Sequence, residues 1–260
     1  MALIFAVTNQ KGGVGKTTTA VNMAAFMALD GYKVLLIDSD PQGNATSGLG
    51  INRKRLKFCL HDILIDGLGY EQVMKRTRIE SLDLIPATIQ LAGAEVELVS
   101  RSNREQALAL GIAPLTDYYD YIIIDCPPSL GLLTINALTA CDSVIIPLQC
   151  EYYALEGLSQ LMDTIQLVRK RLNPRLTIEG IVFTMFDGRT NLSIQVVDEV
   201  KRHFRKEVYG TIIPRSVRLS EAPSHGRPIA LYALRSKGAE AYQEFTREVV
   251  KRGQERTGTR

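Results

Sequence analysis

Residues 9–19 read Asn-Gln-Lys-Gly-Gly-Val-Gly-Lys-Thr-Thr-Thr. Glycines at this density let the backbone fold tightly and turn its N–H groups inward. A helix beginning just after them would present its positive end to the same point. The combination is a cradle for phosphates, with the amides of Gly12, Gly13, Val14, Gly15 and Thr18 around the anion. The Lys16 ammonium would reach the β- and γ-phosphates and the Thr17 hydroxyl would hold Mg²⁺. A glycine-rich helix cap is the bland alternative, but this spacing arises by accident on the order of once in 10⁵ such chains or more rarely. The ordinary phosphate-loop pattern would place glycine at position 10. Gln10 stands there instead, and a second lysine, Lys11, sits at the loop entrance.

Two further segments could serve the same centre. Val34-Leu35-Leu36-Ile37-Asp38 runs into Ser39-Asp40-Pro41-Gln42-Gly43-Asn44, and two carboxylates two residues apart at a strand end can both face a metal–phosphate site. Tyr121-Ile122-Ile123-Ile124-Asp125 is an apolar run that ends in aspartate, followed by Cys126-Pro127-Pro128. Phosphoryl transfer depends mainly on positioning and charge neutralisation. It needs no histidine base, and His61, His203 and His225 fall in no catalytic pattern.

These residues need strands to carry them. Ile4–Thr8, Val34–Asp38, Leu82–Ile85, Tyr121–Asp125, Ser143–Pro147, Ile178–Thr184 and Val208–Ile213 read as strands, several apolar on both faces as buried parallel strands are. Helical patterns lie between them near 16–29, 91–110, 131–139, 152–172, 190–206 and 237–252. On the fifth of these, Ile194, Val197, Val200 and Phe204 form an expected buried stripe. Strand–helix alternation along the chain predicts a single α/β domain of P-loop NTPase type over residues 1–252. Its mostly parallel, twisted sheet would have about seven or eight strands and helices on both faces. Residues 253–260 are expected to be a polar, disordered tail. In such sheets ligands sit at the carboxyl ends of the strands, where the glycine loop, Asp38 and Asp125 fall.

The 260 residues are 45% hydrophobic and 23% charged, an ordinary globular composition. No apolar run reaches the ~18–20 residues of a membrane span, and the N-terminus lacks the basic region and cleavage site of a secretory signal. Cys59, Cys126, Cys141 and Cys150 form no Cys-x-x-Cys pair, so a disulfide scaffold and a zinc cluster are both poorly supported and a cytoplasmic setting is expected. Residues 1–150 are net −3 and residues 151–260 net +6. The second half could therefore meet a polyanion.

Lys-Gly-Gly-x-Gly-Lys-Thr-Thr resembles the deviant Walker A motif of the ParA/MinD superfamily of P-loop ATPases. The Asp-x-Asp-Pro-Gln-Gly-Asn and Asp-x-Pro-Pro segments are similar to that family's switch and Walker B motifs. The segment Pro214-Arg215-Ser216-Val217-Arg218-Leu219-Ser220-Glu221-Ala222-Pro223-Ser224-His225-Gly226 is close to that of Soj-type ParA proteins. The resemblance implies an ATPase using ATP and Mg²⁺. Lys16 would be the P-loop lysine, and Lys11 would cross to the other subunit's phosphates in an ATP-sandwich homodimer. Asp40 would position the attacking water, while Asp38 and Asp125 would support the metal through bound water. Met185 and Pro214 would border the adenine.

For the basic half the resemblance implies that Arg189 and Arg218 contact double-stranded DNA without sequence preference; Lys201, Arg202, Arg205 and Lys206, which project from the expected buried stripe and could equally be a solvated face, are further candidates from the residues alone. A ParB-type centromere-binding protein is the implied partner, no membrane is involved, and the expected location is the nucleoid. The polar ending lacks the amphipathic membrane helix of MinD proteins. The phosphate loop begins too early to leave room for the N-terminal helix-turn-helix of larger plasmid relatives. A family member that positions a non-DNA cargo, or one that carries a metal cluster, is the alternative.

Overall fold

The computed structural model describes residues 1–151 and 154–258. The first half runs β1 (Leu3–Val7), α1 (Lys16–Leu29), β2 (Val34–Asp38), α2 (Asn44–Gly48), α3 (Leu60–Leu64), α4 (Tyr70–Val73), β3 (Lys75–Arg76) and β4 (Leu82–Ile85). It continues through α5 (Leu91–Glu97), α6 (Ala107–Ile112), β5 (Tyr121–Asp125), α7 (Leu132–Ala140) and β6 (Ser143–Gln149). The second half holds α8 (Ala154–Arg171), β7 (Thr177–Phe186), α9 (Asn191–His203), β8 (Val208–Pro214), α10 (Val217–Glu221), α11 (Ile229–Tyr232) and α12 (Lys237–Thr257).

The eight strands form one sheet in the order β3-β4-β2-β5-β1-β6-β7-β8. Seven are parallel, and the two-residue β3 pairs antiparallel with β4 at the edge. Strands β2 and β5 are buried along their whole length, which is why they read as unbroken apolar runs. One core packs α3, α5, α6, α7, α8 and α9 on one face of the sheet. A second packs α1, α2, α10, α11 and α12 on the other. The expected three-layer architecture is therefore present, with β1 between β5 and β6 and its carboxyl end in the middle of the sheet.

Three expectations change. The helix expected over 91–110 is two short helices, because the polar run Arg101–Glu105 has no apolar face to bury and Asn103 turns left-handed at φ 61°. On α9 the buried stripe is Ser193, Val196, Val197 and Val200, while Ile194 is 45% exposed. The expected disordered tail is corrected as far as Thr257, since α12 runs on to that residue. Arg252 donates to Glu248 and to the carbonyls of Glu207 and Val208, and Arg256 pairs with the buried Glu179. These polar residues thus dock on the starts of β7 and β8. The first two residues expected in the 152–172 helix, and the last two of the tail, lie outside the described residues.

Candidate nucleotide-binding site

The glycine loop joins the carboxyl end of β1 to α1, as the motif requires. Gly13 (φ 77°) and Gly15 (φ 89°) adopt the left-handed backbone that other residues avoid. The Asn9 side chain ties the loop entrance down, donating to the Pro147 carbonyl (2.8 Å) and accepting from the Lys11 amide (3.0 Å). Thr184, at the end of β7, donates its hydroxyl to the Val14 carbonyl at 2.8 Å. Lys16 is only 6% exposed and spans the loop to the Lys11 carbonyl at 2.9 Å. Burial lowers its pKa, and the carboxylates of Asp125 and Asp40 and the Cys126 thiol pull against that. Thr17 and Thr18 lie in the first turn of α1.

Asp38 and Asp125 are register partners on neighbouring strands, so their carboxyl groups sit side by side beneath the loop. Asp38 accepts from the Thr46 amide (2.7 Å) and hydroxyl (2.6 Å), and from the Asp40 amide at 3.3 Å. Burial raises its pKa to about 6 despite those hydrogen bonds. Asp125 has no exposed surface, and neither carboxylate oxygen has a hydrogen-bond partner among the described residues. Burial pushes it well above the usual carboxylate range. The neighbouring Asp38 adds to the shift, the Thr17 hydroxyl opposes it, Asp40 adds again, and Lys16 opposes it. Asp125, with both oxygens unused, lies beside Asp38 and the Thr17 hydroxyl, and together they form an all-oxygen donor set, which fits Mg²⁺. Asp40 is 6% exposed and accepts from the Gln42 amide at 2.9 Å.

Met185 and Pro214 do flank the loop. They line a cavity of about 360 Å³ together with Gly15, Thr18, Thr184 and Leu219. Met185 is one of two non-glycine residues with positive φ among the described residues, at 49°. Strain of this kind collects where a ligand must be met. A larger cavity, about 620 Å³ and lined by Ile63, Tyr70 and Arg104, holds none of the motif residues and lies away from the loop.

Sequence reasoning missed Thr46, Thr184 and Glu151. Glu151 receives Lys11 in an ion pair and also accepts from the Gln149 side chain. No motif marks Glu151, whereas Thr46 lies just two residues beyond the switch segment.

The basic candidates do not form one cluster. Arg189 and Arg218 follow the carboxyl ends of β7 and β8, on the loop side of the sheet. Each is already ion-paired, Arg189 with Asp187 (2.6 Å) and Arg218 with Glu221 (2.9 Å). Lys201, Arg202, Arg205 and Lys206 lie at and beyond the other end of α9, which is about 20 Å long. All four cysteines are buried and free, so they present no exposed ligand set for a cluster shared between subunits. No helix among the described residues is long and apolar enough to cross a membrane.

Residues 2–178 match the family model of an AAA domain. The sporulation initiation inhibitor protein Soj of Bacillus subtilis (strain 168) is 62% identical over 253 residues, covering 97% of this chain and 100% of that protein. The chromosome partitioning protein ParA of Myxococcus xanthus (strain DK1622) is 56% identical over 249 residues, covering 96% and 88%. A solved structure of cobyrinic acid a,c-diamide synthase from Mycobacterium smegmatis, with bound ADP and magnesium, matches at TM-score 0.86 and 40% identity. It covers 99% of this chain and 97% of that one. With its deviant phosphate loop, its paired strand-end carboxylates and full-length likeness to Soj, the chain belongs to the Soj/ParA family of P-loop partitioning ATPases.

Proposed function

We propose that this ATPase cycles between a free chain and an ATP-bound sandwich homodimer that holds double-stranded DNA non-specifically. The observation that carries the reading is the convergence of Lys16, Asp38, Asp40 and Asp125 at the ends of three adjoining strands. The loop amides and Lys16 bind the phosphates of ATP, and the cavity beside Met185 and Pro214 takes the base. Mg²⁺, held from Thr17 with Asp38 and Asp125 behind it, supplies charge neutralisation at the phosphates. Asp40 orients water toward the γ-phosphate, and Lys11 reaches the phosphates of the facing subunit. The likeness to Soj and ParA supports a ParB-type protein as the partner that speeds hydrolysis and so releases the dimer from DNA. Chromosome or plasmid segregation on the nucleoid is the corresponding role.

Arg189 and Arg218 follow the carboxyl ends of β7 and β8, and in the proposed dimer the four arginines would act as one phosphate-binding surface. The test is co-sedimentation with DNA at about 150 mM salt under ATP, ADP and no nucleotide, with light scattering alongside. Retention and dimer mass should rise together with ATP alone. Equal retention in all three states would overturn the reading.

A further inference from the structure

A second basic surface lies at the opposite pole of the sheet. The carboxyl ends of α8 and α9 meet there, because both helices pack on the same face and return to the starts of the adjacent strands β7 and β8. From α8 and its following turn come Arg169, Lys170, Arg171 and Arg175, and from α9 and its following turn Lys201, Arg202, Arg205 and Lys206. All eight are exposed. Residues 164–178 and 198–207 together hold eight basic and three acidic side chains, a net +5 against +3 for the whole chain.

Cations at helix carboxyl ends commonly just offset the helix dipole. Here that accounts for only part of the charge. Arg202 pairs with Glu199, which His203 also contacts, and Arg169 donates to the Leu176 carbonyl. Lys170, Arg171, Arg175, Lys201, Arg205 and Lys206 have no ion pair among the described residues. The nearby acids are largely spoken for: Glu179 is buried against Arg256, and Glu248 is held by Arg252. Asp198 and Glu207 remain close by, as does the exposed Asp142 before β6, which accepts from the Ile4 amide. Leu167, half exposed on α8, is the one exposed large apolar side chain within these two segments among the described residues, so the patch lacks the set of apolar anchors of a membrane-surface site. Five of the eight cations are arginines, whose planar fork suits phosphate.

We propose that this pole is a second contact surface for double-stranded DNA, independent of nucleotide and of dimerisation. It belongs to one chain and sits about 30 Å from Arg189, the length of the ten-residue β7. A chain with basic surfaces at both poles holds two DNA segments at once, one gated by ATP and one not.

The experiment uses fluorescein-labelled 30-bp duplexes of two unrelated sequences and the full chain without nucleotide at about 50 mM salt. Anisotropy should report weak, sequence-indifferent binding. The variant R171A/R175A/R205A/K206A should bind at least tenfold more weakly, with the log–log salt slope shallower by up to about four. The control variant K57A/R101A, which removes two exposed cations from neither surface, should leave this nucleotide-free binding unchanged, so that a loss in the four-site variant is specific to this pole. Circular dichroism confirms that each variant is folded. A second readout is capture of a labelled duplex by ATP-loaded protein already held on bead-tethered DNA, which the four-site variant should lose. The proposal is overturned if nucleotide-free binding is absent or equal in the four-site variant. It is overturned equally if that variant loses flotation with phosphatidylglycerol vesicles while keeping its DNA binding.

Discussion

Lys11, the lysine at the entrance of the phosphate loop, is ion-paired with Glu151 just past the end of β6. Both side chains are partly exposed, at 33% and 46%, so the pair is accessible to exchange. A Lys11 that must reach another subunit's phosphates has to leave this carboxylate first. Glu151→Gln removes the competing charge. Exposed pairs are worth about 0.2–1 kcal/mol, so the ATP-dependent dimer should form about two- to fivefold more readily. Sedimentation velocity across a protein titration measures this, and an unchanged or weaker dimer would show that Glu151 does not restrain Lys11.

Gly12 lies in open space in the single chain. A Cβ built on it meets only the Pro128 Cβ, at an ordinary 3.9 Å. Gly12→Val should therefore fold and bind ATP, yet remain monomeric because the facing loop has no room for the branched side chain. Light scattering with ATP decides, and a dimer equal to the parent's would place Gly12 outside the interface.

The Asp40 carboxylate accepts from the Gln42 amide within the switch segment. Removing its carboxylate leaves Lys16 and the loop amides in place. Asp40→Ala should keep ATP affinity within about twofold, hydrolyse at least tenfold more slowly, and accumulate as a DNA-retaining dimer. Undiminished turnover would shift the water-positioning role to Asp38.

Asp38 predicts a pH dependence. Its folded pKa of about 6 lies above the ordinary value of 3.8. The native state thus holds a proton that the unfolded chain gives up, and stability falls as pH rises from about 4 to about 6, then levels off. The cost above pH 6 is on the order of 3 kcal/mol before relaxation. Asp38→Asn should raise the melting temperature of nucleotide-free protein at pH 7.5, with the gain shrinking below pH 6 and vanishing near pH 4. Thermal scans across that range check it, and a pH-independent difference would argue against a buried charge at Asp38.

Asp187 holds Arg189 through two short contacts, and Arg189 in turn depresses the Asp187 carboxyl to about 2. DNA phosphate would have to compete with it. Arg189→Ala or Arg218→Ala should lower the log–log salt slope of ATP-dependent DNA binding by up to about two. Asp187→Ala should move affinity the other way, by about two- to fivefold, on duplexes of unrelated sequence. Titration of all three variants against salt distinguishes a phosphate-binding Arg189 from a solvated one.

What the sequence determined by itself was local. The glycine loop, the strands ending in Asp38 and Asp125, and the three-layer α/β alternation are each written in contiguous residues. A tight turn needs glycine where φ is positive, and a strand buried on both faces needs an unbroken apolar run. The same locality misled at 91–110, where apolar spacing continued through a polar segment too short of buried partners to stay helical, and at the polar end of α12, which is held by Arg252 and Arg256 on distant strands. Tertiary structure alone decided which distant groups meet. Asp38 and Asp125 become neighbours because β2 pairs with β5. Thr184 reaches Val14 across 170 residues, and Glu151 reaches Lys11 across 140. The same holds for the basic residues, which are close in sequence yet divided between two poles. A helix of 13 residues carries its two ends about 20 Å apart, and only the packing of α8 beside α9 brings a second set of cations to one of them.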